Sequence, residues 1–190
     1  MFSFNKVKGI IFDLDDTLVH ANLNFTEIKQ AVGCHPEDDI LTHIDSLSCE
    51  VAKAQATNTV LRFELADAQT SLLIPGALGF IERAREQGLP LAIVTRNCKE
   101  ATQIKLKQNN IPIDTIVTRE DAKPKPHPEA LLKVAESWQQ HGKIETSEIA
   151  YIGDYKYDIE AAHNANMQAW LYTFCSKNEH YEQGLTFIPK

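Results

Sequence analysis

The chain has 190 residues, 43% hydrophobic and 24% charged, which suits one globular domain or one domain carrying an insertion. A formal charge of −7 argues against a nucleic-acid surface, and no apolar run approaches the roughly 20 residues that span a bilayer. Residues 1–6 lack the apolar centre of a signal peptide and the four cysteines form no C-x-x-C pair, so the expectation is a cytoplasmic protein with reduced thiols and no membrane or nucleic-acid partner.

The first element is an apolar run, Val7 to Phe12, that stops at Asp13-Leu14-Asp15-Asp16-Thr17-Leu18. Apolar on both faces, it reads as a buried parallel strand, and its carboxyl end is where open α/β sheets hold ligands. Asp13 and Asp15 would repel each other there without a cation. From about residue 23 to residue 73 strand signals vanish. A helix is expected from about Asn24, capped by Asn24 or Thr26, then another after Pro36. A long helix follows from Asp45 to about Leu72, with a break expected at Thr57-Asn58-Thr59, which are poor helix formers.

Ile74-Pro75-Gly76 marks the return to alternating elements. A helix over 77–87 ends at Gly88, a strand covers 90–94, and a helix covers 99–109. A short strand follows at 115–118, then a proline-bearing loop over 119–128 and a helix over 129–141. The strand 149–152 ends at Gly153-Asp154, a helix spans 157–165, and a last strand spans 168–173; the tail from Ser176 reads as irregular. The fold class is therefore α/β: a Rossmann-like three-layer parallel sheet core over 1–19 and 75–190, with an inserted all-helical cap over 20–74.

Polar groups close four of the strand ends: Asp13 and Asp15, Thr95, the loop of Lys123 and Lys125, and Asp154 with Asp158. If the strands are parallel, these groups share one edge. Each suits phosphoryl transfer: a carboxylate nucleophile, a second carboxylate as acid and base, and a hydroxyl and an ammonium for the phosphoryl oxygens. The oxygen donors suit Mg²⁺.

In this order and spacing the motifs resemble the haloacid dehalogenase superfamily, in its branch with a helical cap between the first two motifs. Asp13-Leu14-Asp15-Asp16-Thr17-Leu18 matches the first motif, Val94-Thr95-Arg96-Asn97 the second, Lys125-Pro126-His127-Pro128-Glu129 the third and Gly153-Asp154-Tyr155-Lys156-Tyr157-Asp158 the fourth. Lys-Pro-His-Pro is closest in flavour to phosphoglycolate phosphatase-like members. The resemblance implies Asp13 as nucleophile and metal ligand, and Asp15 as general acid/base and, through its backbone carbonyl, a metal ligand. Thr95 and Lys125 would bind phosphate, Asp154 would complete the Mg²⁺ site, and Asp158 would support the metal or orient Lys125. Lys123 competes with Lys125. Arg96 and Asn97 are further phosphate candidates, and Asn97 could equally cap the next helix. The carboxylate at Asp15 also separates this chain from family dehalogenases, which lack one there.

The resemblance implies a Mg²⁺-dependent phosphatase of a small phosphorylated metabolite (phosphoglycolate, a sugar phosphate or a nucleotide) working through an aspartyl-phosphate, as monomer or dimer. A phosphomutase and a non-catalytic phosphate-binding protein are the rival readings. His20 and His127 read as surface and helix-start residues. Arg62, Lys29 and Lys53 are the cationic residues of the cap region, each expected on a solvated face.

Overall fold

The computed structural model describes residues 2–139, 144–178 and 180–190. In chain order its elements are β1 (Gly9–Phe12), β2 (Val19–His20), α1 (Phe25–Val32), α2 (Ile40–Ser46), α3 (Glu50–Ala68), β3 (Leu72–Leu73), α4 (Ala77–Glu86), β4 (Leu91–Val94), α5 (Lys99–Gln108), β5 (Thr115–Val117), α6 (Glu129–Gln139), β6 (Ile149–Gly153), α7 (Lys156–Asn164), β7 (Gln168–Tyr172) and β8 (Leu185–Ile188). Residues 140 and 141, the end of the helix expected over 129–141, lie outside the described residues.

Six strands form one sheet in the order β5-β4-β1-β6-β7-β8. The first five are mutually parallel. β1 is buried at all four positions because helices cover both of its faces. Alternate residues feed opposite layers: Ile10 and Phe12 pack with Ile93, Ile152, Phe80 and Ile81, whereas Ile11 packs with Ala92, Tyr151, Leu131 and Ala161. Thus α4 covers one face and α6 and α7 the other, which makes three layers. Chain order reverses at β1, flanked by β4 and β6, so the crevice beyond its carboxyl end is a topological switch point.

The tail departs from the expected irregular chain. Leu185–Ile188 adds an antiparallel edge strand to β7, with the Trp170 and Phe187 rings 5.3 Å apart. A four-residue Leu-Thr-Phe-Ile segment carries too little alternation to identify a strand by itself. Its pairing is supplied by the open edge of β7. The ribbon of β2 and β3 (Val19 opposite Leu73, His20 opposite Leu72) is likewise absent from the sequence reading. It brings the two ends of the helical insert together.

Within that insert, Asn24 caps α1 by accepting from Glu27 N at 3.2 Å, and Asp39 caps α2 by accepting from Thr42 N at 3.0 Å. The expected break at Thr57–Thr59 does not occur. α3 runs unbroken from Glu50 to Ala68, and the interruption falls at residues 47–49 instead. The hydroxyls of Thr57 and Thr59 bond back to the carbonyls of Lys53 and Gln55, four residues earlier, so these threonines satisfy themselves inside the helix. Ile28, Ile40, Ile44, Ala56 and Val60 form a small core among the three helices.

Candidate active site

The carboxyl ends of β1, β4 and β6 open onto a cavity of about 470 Å³ whose far wall is built by α1, α2 and α3. All eight residues singled out by the motifs line it: Asp13, Asp15, Thr95, Arg96, Asn97, Lys125, Asp154 and Asp158. Parallel pairing gathers them, because every strand then ends on the same edge.

Lys125 stands at the centre of one cluster. Its Nζ lies 2.7 Å from Asp13 Oδ1, 2.6 Å from Asp158 Oδ1 and 2.8 Å from the Tyr151 hydroxyl. Burial would push this ammonium down, but Asp13 and Asp158 more than offset it and hold the group above its ordinary value. Lys125, and not Lys123, reaches Asp13. Burial pushes the Asp13 carboxyl up to about 8 against the pull of Lys125, with Asp158 and Asp154 adding to the push. Asp154 rises to about 7, through burial first and then through Asp158 and Asp16.

Carboxylate oxygens of Asp13, Asp154 and Asp158 lie within 4.8 Å of one another. A hard oxygen set whose carboxyls are driven upward first by burial and then by one another's charge fits a divalent cation such as Mg²⁺. Both Asp158 oxygens already have partners, however: Oδ1 accepts from Lys125 and Tyr151, and Oδ2 from Tyr155 N at 3.0 Å. Asp13 and Asp154 would thus be the better-placed direct ligands of such an ion, and Asp158 anchors Lys125. Gly153 permits this arrangement, because a Cβ there would overlap the Asp158 side chain.

Asp15 belongs to a second cluster. Its Oδ1 meets Lys105 Nζ at 2.5 Å and its Oδ2 accepts from Asn97 Nδ2 at 2.9 Å. Lys105 is fully buried and also pairs with Asp67 Oδ2 at 2.7 Å. The two aspartates two residues apart are therefore separated by their partners. Asp13 faces Lys125, and Asp15 faces Lys105. Asp16, at φ 51, turns the chain directly after them. Asn97 does not cap α5; Cys98 does, its sulfur accepting from Ala101 N at 3.4 Å. The Thr95 hydroxyl accepts from Asn97 N at 3.2 Å. The Arg96 guanidinium turns toward Asp39, the residue capping α2, at 2.5 Å, and lies 5.0 Å from the Tyr157 ring centre.

Of the remaining candidates, Lys29 lines the cavity and donates to the Pro36 carbonyl, while Lys53 pairs with Asp45 at 3.1 Å. His127 accepts from Glu129 N at 3.2 Å at the start of α6, and His20 stacks edge-on against Phe174. Sequence reasoning missed Lys105, Tyr151 and Asp67. One signal was present for Lys105: between Ile104 and Leu106, and three residues after buried Thr102, it occupies a core-facing helical position.

The sequence pattern of haloacid dehalogenase-like hydrolases matches residues 10–171. The chain belongs to that family. It is 30% identical over 169 residues to an uncharacterized hydrolase of Saccharomyces cerevisiae, covering 84% of this chain and 74% of the yeast protein. Two solved structures share the fold. A hydrolase from Pseudomonas syringae superposes with TM-score 0.69 at 22% identity, covering 86% of this chain and 82% of that one. A "predicted phosphoglycolate phosphatase" from Haemophilus somnus superposes with TM-score 0.67 at 20% identity, covering 94% and 91%. This chain is a haloacid dehalogenase-like hydrolase with an α/β, Rossmann-like core. No helix among the described residues is long and apolar enough to cross a membrane.

Proposed function

We propose that this haloacid dehalogenase-like hydrolase is a Mg²⁺-dependent phosphatase that forms an aspartyl-phosphate on Asp13. The observation that carries the reading is the pairing of Asp13 with Lys125 at 2.7 Å beside Asp154, with the independently anchored carboxylate of Asp15 in the same cavity. The "predicted phosphoglycolate phosphatase" whose solved structure shares the fold is consistent with phosphate-ester chemistry.

In the first step an Asp13 oxygen attacks phosphorus and the bond from phosphorus to the ester oxygen breaks. Asp15 gives its proton to the departing oxygen. In the second step Asp15 takes a proton from a water that attacks the phosphorus, freeing inorganic phosphate and restoring Asp13. Lys125 balances charge on the phosphoryl oxygens while Asp158 and Tyr151 fix its position, and the Thr95 hydroxyl supplies a further donor. Mg²⁺, held by Asp13, Asp154 and the Asp15 backbone carbonyl, would offset repulsion between nucleophile and phosphate. The parent division follows: residues 1–19 and 75–190 form the catalytic core, and 20–74 the cap that closes over the leaving group.

Asp13→Asn, which retains the shape but not the nucleophile, is expected to abolish phosphate release while leaving the circular dichroism spectrum and melting curve folded. Full activity in that variant would overturn the mechanism.

A further inference from the structure

Away from Asp13 and Lys125, the cavity wall has an unusual balance. Five carboxylates line it there: Asp16, Glu37, Asp38, Asp39 and Glu64. They face three cations, Lys29, Arg96 and Lys156, and each of these already has a partner. Lys29 donates to the Pro36 carbonyl. Arg96 is neutralised by Asp39 at 2.5 Å. The Lys156 ammonium lies 5.8 Å from the Tyr155 ring centre and 5.2 Å from that of Tyr157. Asp39 and Glu64 are matched by Arg96 and Arg119, which leaves Asp16, Glu37 and Asp38 against Lys29 and Lys156. An incoming second anion would have to draw one of these two from its carbonyl or ring contacts, or break the Arg96 pair, against a surplus of carboxylates.

The rest of the wall is apolar and aromatic. Leu23, Ile28, Leu41 and Val60 line it. So do Phe25, 60% exposed, and Tyr155, 53% exposed. Large rings left this open inside a cavity offer stacking surface to a ligand.

Building on the phosphatase reading, we infer that the substrate is a phosphate monoester whose organic part is a ring-bearing, non-anionic group seated against Phe25 and Tyr155. The carboxylate-bearing phosphoglycolate is a poor substrate. The committed partner of Arg96 is a specificity device: Asp39 holds the guanidinium that would otherwise bind a second anion.

Benzyl phosphate and para-carboxybenzyl phosphate isolate this point, because both release a benzylic alcohol and the two alcohols differ in one carboxylate. With Mg²⁺ present, kcat/KM for benzyl phosphate is expected to exceed that for para-carboxybenzyl phosphate and for phosphoglycolate by about tenfold or more. Asp39→Asn keeps the cap of α2 but weakens the hold on Arg96. It is expected to narrow that ratio by raising turnover of the carboxylated ester. Phe25→Ala should raise KM for benzyl phosphate several-fold more than KM for methyl phosphate. Equal or better turnover of phosphoglycolate, or a Phe25→Ala effect equal on both esters, would overturn the inference and leave the phosphatase intact. No phosphate release from any ester would overturn the phosphatase reading and the inference with it.

Discussion

At the scale of single residues, two buried lysines decide how the two catalytic-motif aspartates differ. Lys125 draws Asp13 into a cluster with Asp158 and Tyr151, and Lys105 draws Asp15 toward Asp67 and Asn97. A buried ammonium is costly to strand, and so are the carboxylates left behind when it is removed. Lys105→Met should therefore lower stability by about 3 kcal/mol in urea unfolding and should reduce kcat through loss of the Asp15 anchor. Wild-type stability in that variant would mean that Lys105 is not held between two carboxylates. Gly153 makes a related demand, since any Cβ at that position overlaps Asp158. Gly153→Ala is expected to displace Asp158 from Lys125 and to cost turnover at least tenfold. The motifs named Asp13, Asp15 and Lys125 from sequence, but nothing local to Asp15 points ninety residues onward to Lys105.

At the scale of elements, α3 is the beam that joins the helical insert to the sheet. Its Glu64 accepts from Cys98 N at 3.1 Å and pairs with Arg119, and its Asp67 takes Asn22 N at 2.6 Å as well as Lys105. Leu61, Leu65 and Ala68 pack on Ala101 and Ile104 of α5. The spacing of apolar residues along this stretch makes it readable as helix, although one of them, Val51, stays 66% exposed. Propensity alone misplaced the break, because Thr57 and Thr59 pair with carbonyls of the preceding turn. Thr57 is exposed and Thr59 half-buried on a continuous helix. Replacing both with alanine should accordingly raise stability by about 0.5–1 kcal/mol, read as a higher melting temperature. A fall would show that their hydroxyls hold more than their own helix.

At the scale of the whole molecule, the crevice at the switch point gathers carboxylates whose charge a bound cation would relieve. Asp154, raised to about 7, and Asp13, raised to about 8, bind protons more tightly folded than unfolded. Without metal, their protonated forms favour the fold at low pH. That contribution is lost as pH climbs from the ordinary carboxylate range through about 7 to 8. Mg²⁺ competes with those protons, so the melting shift it produces should be larger at about pH 8 than at about pH 5.5. Equal shifts at the two pH values would place the ion elsewhere.

Residue type and order determined the alternating strands and helices, the buried character of β1 and the four motif-bearing strand ends. These depend on short-range periodicity and on chemistry carried by the residues themselves. Tertiary structure decided the rest. β8 exists because β7 offers an open edge, and Arg96 meets Asp39 because α2 folds over β4. Asp13 and Asp15 part company because lysines from a loop and from α5 arrive on different sides of them. Contacts between residues far apart in the chain are set by how layers pack, and no local pattern records them.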